Sequence, residues 1–183
     1  EFYTTALNSY IKFLCMGLLM LIPAISVIFP IMINESYADA KQLVPYYLLA
    51  TIVSCISSFF GNIFTAIKKN NVLFYTTVAG SVVNVVSVHL LLPIVGVQGA
   101  SIALFLGFMV NNTIRAYLLK KEIQVSIDLK FIVAWAIVYI GVSYIYLHAN
   151  AIINVLTVFV GGLLTLFVFR KELKEILGTI KNR

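Results

Sequence analysis

Long apolar runs, each stopped by a short cluster of polar or turn-forming residues, repeat along this chain from one end to the other. A helix needs about 20 predominantly apolar residues to cross the hydrocarbon core of a bilayer. The runs predict six such spans, at about residues 13–33, 43–67, 72–92, 100–119, 131–147 and 151–169. The breaks between them are short. Asn34 to Gln42 carries Glu35, Asp39 and Lys41, and Lys68-Lys69-Asn70-Asn71 is a basic turn. Pro93 to Gly99 is a neutral Pro/Gly turn, Lys120 to Lys130 is mixed, and His148-Ala149-Asn150 is a tight reversal. None resembles a linker between soluble domains. The expected fold is therefore all-α, a polytopic six-helix transmembrane bundle over residues 1–169. In 170–183, Leu173, Ile176, Leu177 and Ile180 recur at helical spacing with Lys171, Lys174 and Lys181 off that face, which predicts a short amphipathic helix on the cytoplasmic leaflet. A solvated, fraying tail is the alternative.

Composition agrees with the pattern and narrows it. Of 183 residues, 61% are apolar and 11% charged, against about 45–50% and about 25% in soluble domains, which excludes an ordinary water-soluble globule. The formal charge of +6 invites a nucleic-acid partner until the lysines are placed. With the amino end inside, the inner segments hold Lys12, Lys68, Lys69, Arg115, Lys120, Lys121, Lys130, Arg170, Lys171, Lys174, Lys181 and Arg183, and the outer ones hold Lys41 alone. This is the excess that orients a membrane protein with both ends cytoplasmic, and it needs no nucleic acid. The chain opens at Glu1 without a basic segment and cleavable apolar stretch, so it is expected to be the later part of a longer protein.

Lipid is as apolar as leucine, so helices in a bilayer pack through small residues and inward polar groups. In 43–67 such a stripe comprises Thr51, Ser54, Cys55, Ser58, Gly61, Asn62 and Thr65, and in 72–92 it comprises Thr77, Gly80, Ser81, Asn84 and Ser87. Gly99, Ala103, Gly107, Asn111 and Arg115 recur every four residues along the fourth helix, with Gly99, Ala103 and Gly107 as its packing members. The last span offers Asn154, Thr157, Gly161 and Thr165. Packing seams account for the small residues, whereas Asn84, Asn111 and Arg115 are costly in a membrane and are candidate binding residues lining a cavity. Arg115 has two readings: a guanidinium snorkelling to the headgroups, or an inward cation whose paired donors match a phosphate. Pro23, inside the first span, is a candidate hinge or a static kink.

All seven carboxylates fall in breaks or at the ends, so no intramembrane acid of the kind that ion-coupled pumps commonly use is present. Cys15 and Cys55 lie singly in apolar runs, without metal-ligand or disulfide spacing. No nucleophile–base pair, metal cluster or phosphate loop stands out, so no catalytic residue, metal or cofactor is expected. Asn34-Glu35-Ser36 matches a glycosylation sequon, a frequent chance match.

Several stretches between about Ile28 and Lys130 carry a resemblance. They are Phe29 to Ala40 with its Tyr37-Ala38-Asp39-Ala40 turn, Lys68-Lys69-Asn70-Asn71, Gly80 with Asn84, and Leu91-Leu92-Pro93-Ile94-Val95-Gly96-Val97-Gln98-Gly99-Ala100-Ser101-Ile102-Ala103. Together they resemble the carboxyl-terminal half of polysaccharide and O-antigen flippases, within the multidrug/oligosaccharidyl-lipid/polysaccharide exporter superfamily. Arg170 to Leu177 also resembles the tails of such proteins. The resemblance implies two six-helix lobes facing a central cavity in a bacterial inner membrane, with this chain as the second lobe and an amino-terminal lobe as its partner. It implies movement of an undecaprenyl-pyrophosphate-linked oligosaccharide between leaflets by alternating access, for surface polysaccharide such as lipopolysaccharide. Arg115 is then the candidate for the pyrophosphate, with Asn111 and Asn84 as hydrogen-bonding neighbours, an assignment that rests on the stripe. A multidrug or organic-cation exporter is the second reading. A membrane-embedded glycosyl polymerase lacks a large outer loop here, and a purely structural bundle is the remaining class.

Overall fold

The computed structural model describes residues 2–32, 40–123 and 126–170. It contains six α-helices and, among the described residues, no strand: α1 Phe2–Met32, α2 Val44–Ala66, α3 Asn70–Val95, α4 Gln98–Ile123, α5 Leu129–His148 and α6 Ala151–Val168. Each is long and apolar enough to cross a membrane.

Side-chain ties identify the two ends of the bundle. At one end the Asn8 side chain donates to the Ser126 carbonyl and accepts from the Asp128 amide, so the start of α1 lies beside the α4–α5 connection. Lys69 of the α2–α3 turn pairs with Glu122 at the end of α4 on the same side. At the other end Gln98 bonds Gln42 at 3.0 Å, and Lys41 stands over the Tyr146 ring. Helices therefore alternate in direction. Lys68, Lys69, Lys120, Lys121 and Lys130 gather at one end, with Lys41 at the other.

Two trios of helices make up the bundle. In one, α4 packs closely on both α3 and α2; in the other, α1 packs on α6 and α5. α1 joins them by lying also against α2. Its buried stripe of Leu7, Ile11, Cys15, Leu18, Leu19 and Ile22 follows the three-to-four spacing of one helical face. The Tyr139 hydroxyl of α5 reinforces the joint by donating to the Pro45 carbonyl of α2, while Trp135 Nε1 of α5 donates to the Cys15 carbonyl within the second trio. Large apolar side chains such as Val133, Ile137, Leu156, Phe159 and Leu163 remain exposed on α5 and α6, as a hydrocarbon surround permits.

The boundaries differ from the predicted spans in three places, one being α4, which runs on to Ile123 through the first residues of the predicted Lys120–Lys130 break. α1 starts at Phe2 rather than near 13, about three turns earlier. Leu7 and Ile11 continue its buried stripe, while Asn8 and Lys12, which interrupt the apolar run, bond the Ser126–Asp128 segment and face the Phe131 ring. α3 runs through Pro93 to Val95, so the predicted Pro93–Gly99 turn shrinks to Gly96 and Val97. Gly96 makes the reversal with φ of 66°, which favours glycine. Pro23 is buried inside a helix that continues past it. The expected amphipathic tail falls on 171–183, outside the described residues.

The α3–α4 contact depends on glycine. A Cβ on Gly80 would stand 2.7 Å from the Gly107 carbonyl oxygen, and one on Gly107 would stand 2.7 Å from that of Gly80. Gly99 and Ala103, on the same α4 face, are buried too, and a Cβ on Gly99 would meet the Leu91 backbone at 2.7 Å. Gly107→Ala is therefore expected to cost about 1–3 kcal/mol through forced separation of the pair. Gly141→Ala, with nothing within 4 Å of the new methyl, should gain up to about 1 kcal/mol of helix propensity. Thermal unfolding of the purified protein in detergent, followed by Trp135 fluorescence, checks both, and equal midpoints for the two variants would refute the close-packing account.

Candidate functional site

Three polar doublets, Ser57-Ser58 on α2, Thr76-Thr77 on α3 and Asn111-Asn112 on α4, lie within the first trio. Adjacent helical residues point about 100° apart, so a doublet at the edge of a contact divides between interior and surface. Ser57, Thr76, Asn111 and Asn112 are buried, while Ser58 and Thr77 are exposed. Asn112 donates to the Val53 carbonyl at 2.8 Å and fastens α4 to α2.

Arg115 lies one turn along α4 from Asn111, and only 6% of it is exposed. Its guanidinium occupies the junction of the three helices. Nε donates to Thr76 Oγ1 at 2.9 Å, Nη1 to the Ser57 carbonyl at 2.7 Å and Ser57 Oγ at 2.9 Å, and Nη2 to Thr77 Oγ1 at 3.0 Å. Thr76 accepts readily because its own hydroxyl donates back to the Val72 carbonyl at 2.8 Å. Four of the five guanidinium N–H groups are thus engaged. The side chain turns into the bundle instead of snorkelling along the surface.

Every one of those acceptors is neutral. Of the two carboxylates among the described residues, Glu122 pairs with Lys69 and Asp128 accepts from the Phe131 amide at the start of α5. Four of the five N–H groups of Arg115 are engaged, but its positive charge has no counterion among the described residues. In a medium of low dielectric such a charge raises the local potential and attracts an anion.

Beside the junction, α3 and α4 enclose a half-open cleft of about 70 Å³ lined by Thr77, Gly80, Ser81, Asn84, Leu104, Gly107, Phe108 and Asn111. Asn111 packs against Gly80 and Asn84 against Gly107, so a Gly-x-x-x-Asn pattern occurs once on each helix. Oδ1 of both asparagines is without a hydrogen-bond partner. The structure therefore brings Asn84 and Asn111 into one cleft and places Arg115 next to it, linked through Thr77.

The other stripes divide. Gly161 and Asn154 of α6 are buried, Gly161 against Leu19 and Met20 of α1. On α2 the stripe is largely uncovered: Thr51, Ser58, Asn62 and Thr65 are exposed, and the opposite face with Ala50, Val53, Ser57, Phe60 and Phe64 is buried. Thr51, Ser58 and Thr65 donate to carbonyls four residues back, at 2.9–3.1 Å, which lets them stand outside a protein contact. Ser57, Thr76 and Asn112, absent from the predicted stripes, turn out to hold the junction; the doublets were their only signal.

Searches against protein-family models, curated proteins and solved structures return no match to this chain. Its class is defined by its own fold: an all-helical protein with six candidate membrane-spanning helices.

The clamp on Arg115 makes a quantitative expectation. Ser57→Ala leaves a guanidinium N–H bare in the interior and should destabilise the protein by about 1–3 kcal/mol. In an Arg115→Met background the same change should cost little, giving a coupling energy of about 1–3 kcal/mol in a double-mutant cycle. Additive costs in detergent unfolding would contradict the geometry.

Proposed function

We propose that this chain is one lobe of a membrane transporter that passes an anionic, lipid-linked oligosaccharide between leaflets, its second lobe lying against the uncovered polar surfaces of α2 and α3. The observation that carries this reading is the Arg115 charge, buried at a three-helix junction with only neutral partners among the described residues. An organic-cation exporter would be expected to present carboxylates at such a place, and the described spans hold Glu122 alone, near the end of α4 and paired with Lys69. Exposed Thr51, Ser58, Asn62, Thr65, Thr77 and Ser81 supply polar surface at membrane depth, and the resemblance to polysaccharide flippases points to the same class.

Physically, the task is to carry a pyrophosphate and a hydrated glycan through hydrocarbon while the polyprenyl tail stays in lipid. A fixed cation with four of its five N–H groups already engaged offers attraction without demanding contact. The fifth N–H, on Nη2, offers one direct donor next to the exposed Thr77. On this reading the lysine-rich end of the bundle is cytoplasmic. The start of α1 and Arg170 then lie on that side.

Two measurements test the proposal. Arg115→Ala in the full-length protein should lower surface polysaccharide or flipping of undecaprenyl-pyrophosphate-linked oligosaccharide in vesicles by tenfold or more, about 1.4 kcal/mol or above. Arg115→Lys, which keeps charge but loses the fork, should fall between Ala and wild type. Wild-type transport by Arg115→Ala at normal membrane abundance would sink the proposal. For topology, cysteines replacing Lys68 and Lys120 should be protected from an impermeant maleimide in intact cells, and one replacing Lys41 should be labelled.

A further inference from the structure

Asn84 and Asn111 line the α3/α4 cleft, and among the described residues neither Oδ1 has a donor to accept from. Asn111 is 5% exposed and its Oδ1 is unpartnered, as is that of Asn84 across the Gly80–Gly107 crossing. A buried unsatisfied carboxamide oxygen costs on the order of a hydrogen bond, so the pair calls for a ligand that brings donors. A half-turn of either carboxamide exchanges its oxygen and nitrogen without changing its shape, so each can meet a group that both donates and accepts. A hydroxyl is such a group.

The lining narrows the class further. Among the described residues no charged side chain lines the cleft, so it suits neither a phosphate nor a cation, and two asparagines, Thr77 and Ser81 make it a poor seat for a lipid tail. Its remaining wall is Phe108 with Leu104, an apolar surface of the kind that covers the C–H face of a ring. A space of about 70 Å³ admits a few waters or the edge of a ring entering from the open side.

We infer that this cleft is a sugar subsite, in which Asn84 and Asn111 hydrogen-bond hydroxyl or acetamido groups of a neutral glycan residue while Phe108 flanks its apolar face. This rests on the transport reading above and assigns the glycan and the pyrophosphate to different groups. Thr77 lies in both places, lining the cleft and accepting from Arg115 Nη2. Arg115 is one turn from Asn111, about 6 Å along the helix, so an anion at its outer edge would lie next to a sugar in the cleft. That is the order in which a pyrophosphate and its first sugar are joined.

The test uses full-length protein in nanodiscs and two probes, undecaprenyl pyrophosphate with and without one N-acetylglucosamine. Wild type is expected to bind the sugar-bearing lipid more tightly. Asn84→Ala and Asn111→Ser should each weaken it about five- to tenfold and leave the affinity for undecaprenyl pyrophosphate, which also reports intact folding, unchanged. With 15N-asparagine labelling, the side-chain amide signals of Asn84 and Asn111 should shift with the sugar-bearing lipid only. Equal affinity of wild type for both probes, or equal loss for both in the variants, overturns the sugar subsite and leaves the transport reading standing. Amide signals unmoved by either probe overturn it as well, the cleft then holding water only. Failure of wild type to bind either lipid overturns both readings.

Discussion

In hydrocarbon a guanidinium cannot leave its donors bare, and the trio of α2, α3 and α4 is arranged around that requirement. Arg115 reaches Ser57 on one helix and Thr76 and Thr77 on another, so any separation of the three would expose several charged N–H groups at once. The attraction between helices in lipid is otherwise weak, because leucine gains little by leaving one apolar surround for another. Directional bonds to a fixed cation therefore set relative rotation and depth, and Asn112 adds a second tie between α4 and α2. The Gly80–Gly107 crossing supplies what such bonds cannot, backbone contact that lets dispersion act over the length of a hairpin.

Three asparagines stand around that crossing. Asn112 donates to α2 through its Nδ2 and, like Asn84 and Asn111, leaves its Oδ1 without a partner among the described residues; Asn84 and Asn111 differ in sitting against glycines and lining the cleft. Were they only packing residues, leucine or alanine would fill the same space without the cost of an orphan acceptor. Their placement next to a cleft, instead of in a sealed contact, is what gives them a chemical meaning.

Six helices and their alternation were legible because hydropathy reports membrane crossing directly and the breaks are short. The small-residue row of Gly99, Ala103 and Gly107 on α4 was legible too, but not that α3 is the helix it meets. The site was only half legible. A stripe drawn on α2 and α3 selects Ser58 and Thr77, but the inward members are Ser57 and Thr76, 100° around the helix. Which half of a doublet turns inward depends on where the partner helix lies, and that is a tertiary fact. The early start of α1 escaped for a related reason: Asn8 and Lys12 depress local hydropathy, and only their partners Ser126, Asp128 and Phe131 explain them within a helix.

Pro23 bears on how two such trios can move. A proline at position 23 cannot donate to the carbonyl four residues back, that of Leu19. That carbonyl faces α6, where a Cβ on Gly161 would stand 3.6 Å away. The weakened turn of α1 thus lies against α6. A bend at Pro23 would carry α6 along with α1, while Arg115 and the glycine crossing hold α2, α3 and α4 together. Any relative movement of the trios would then fall across the seam that Tyr139 bridges to Pro45, with the polar surfaces of α2 and α3 held to their cation.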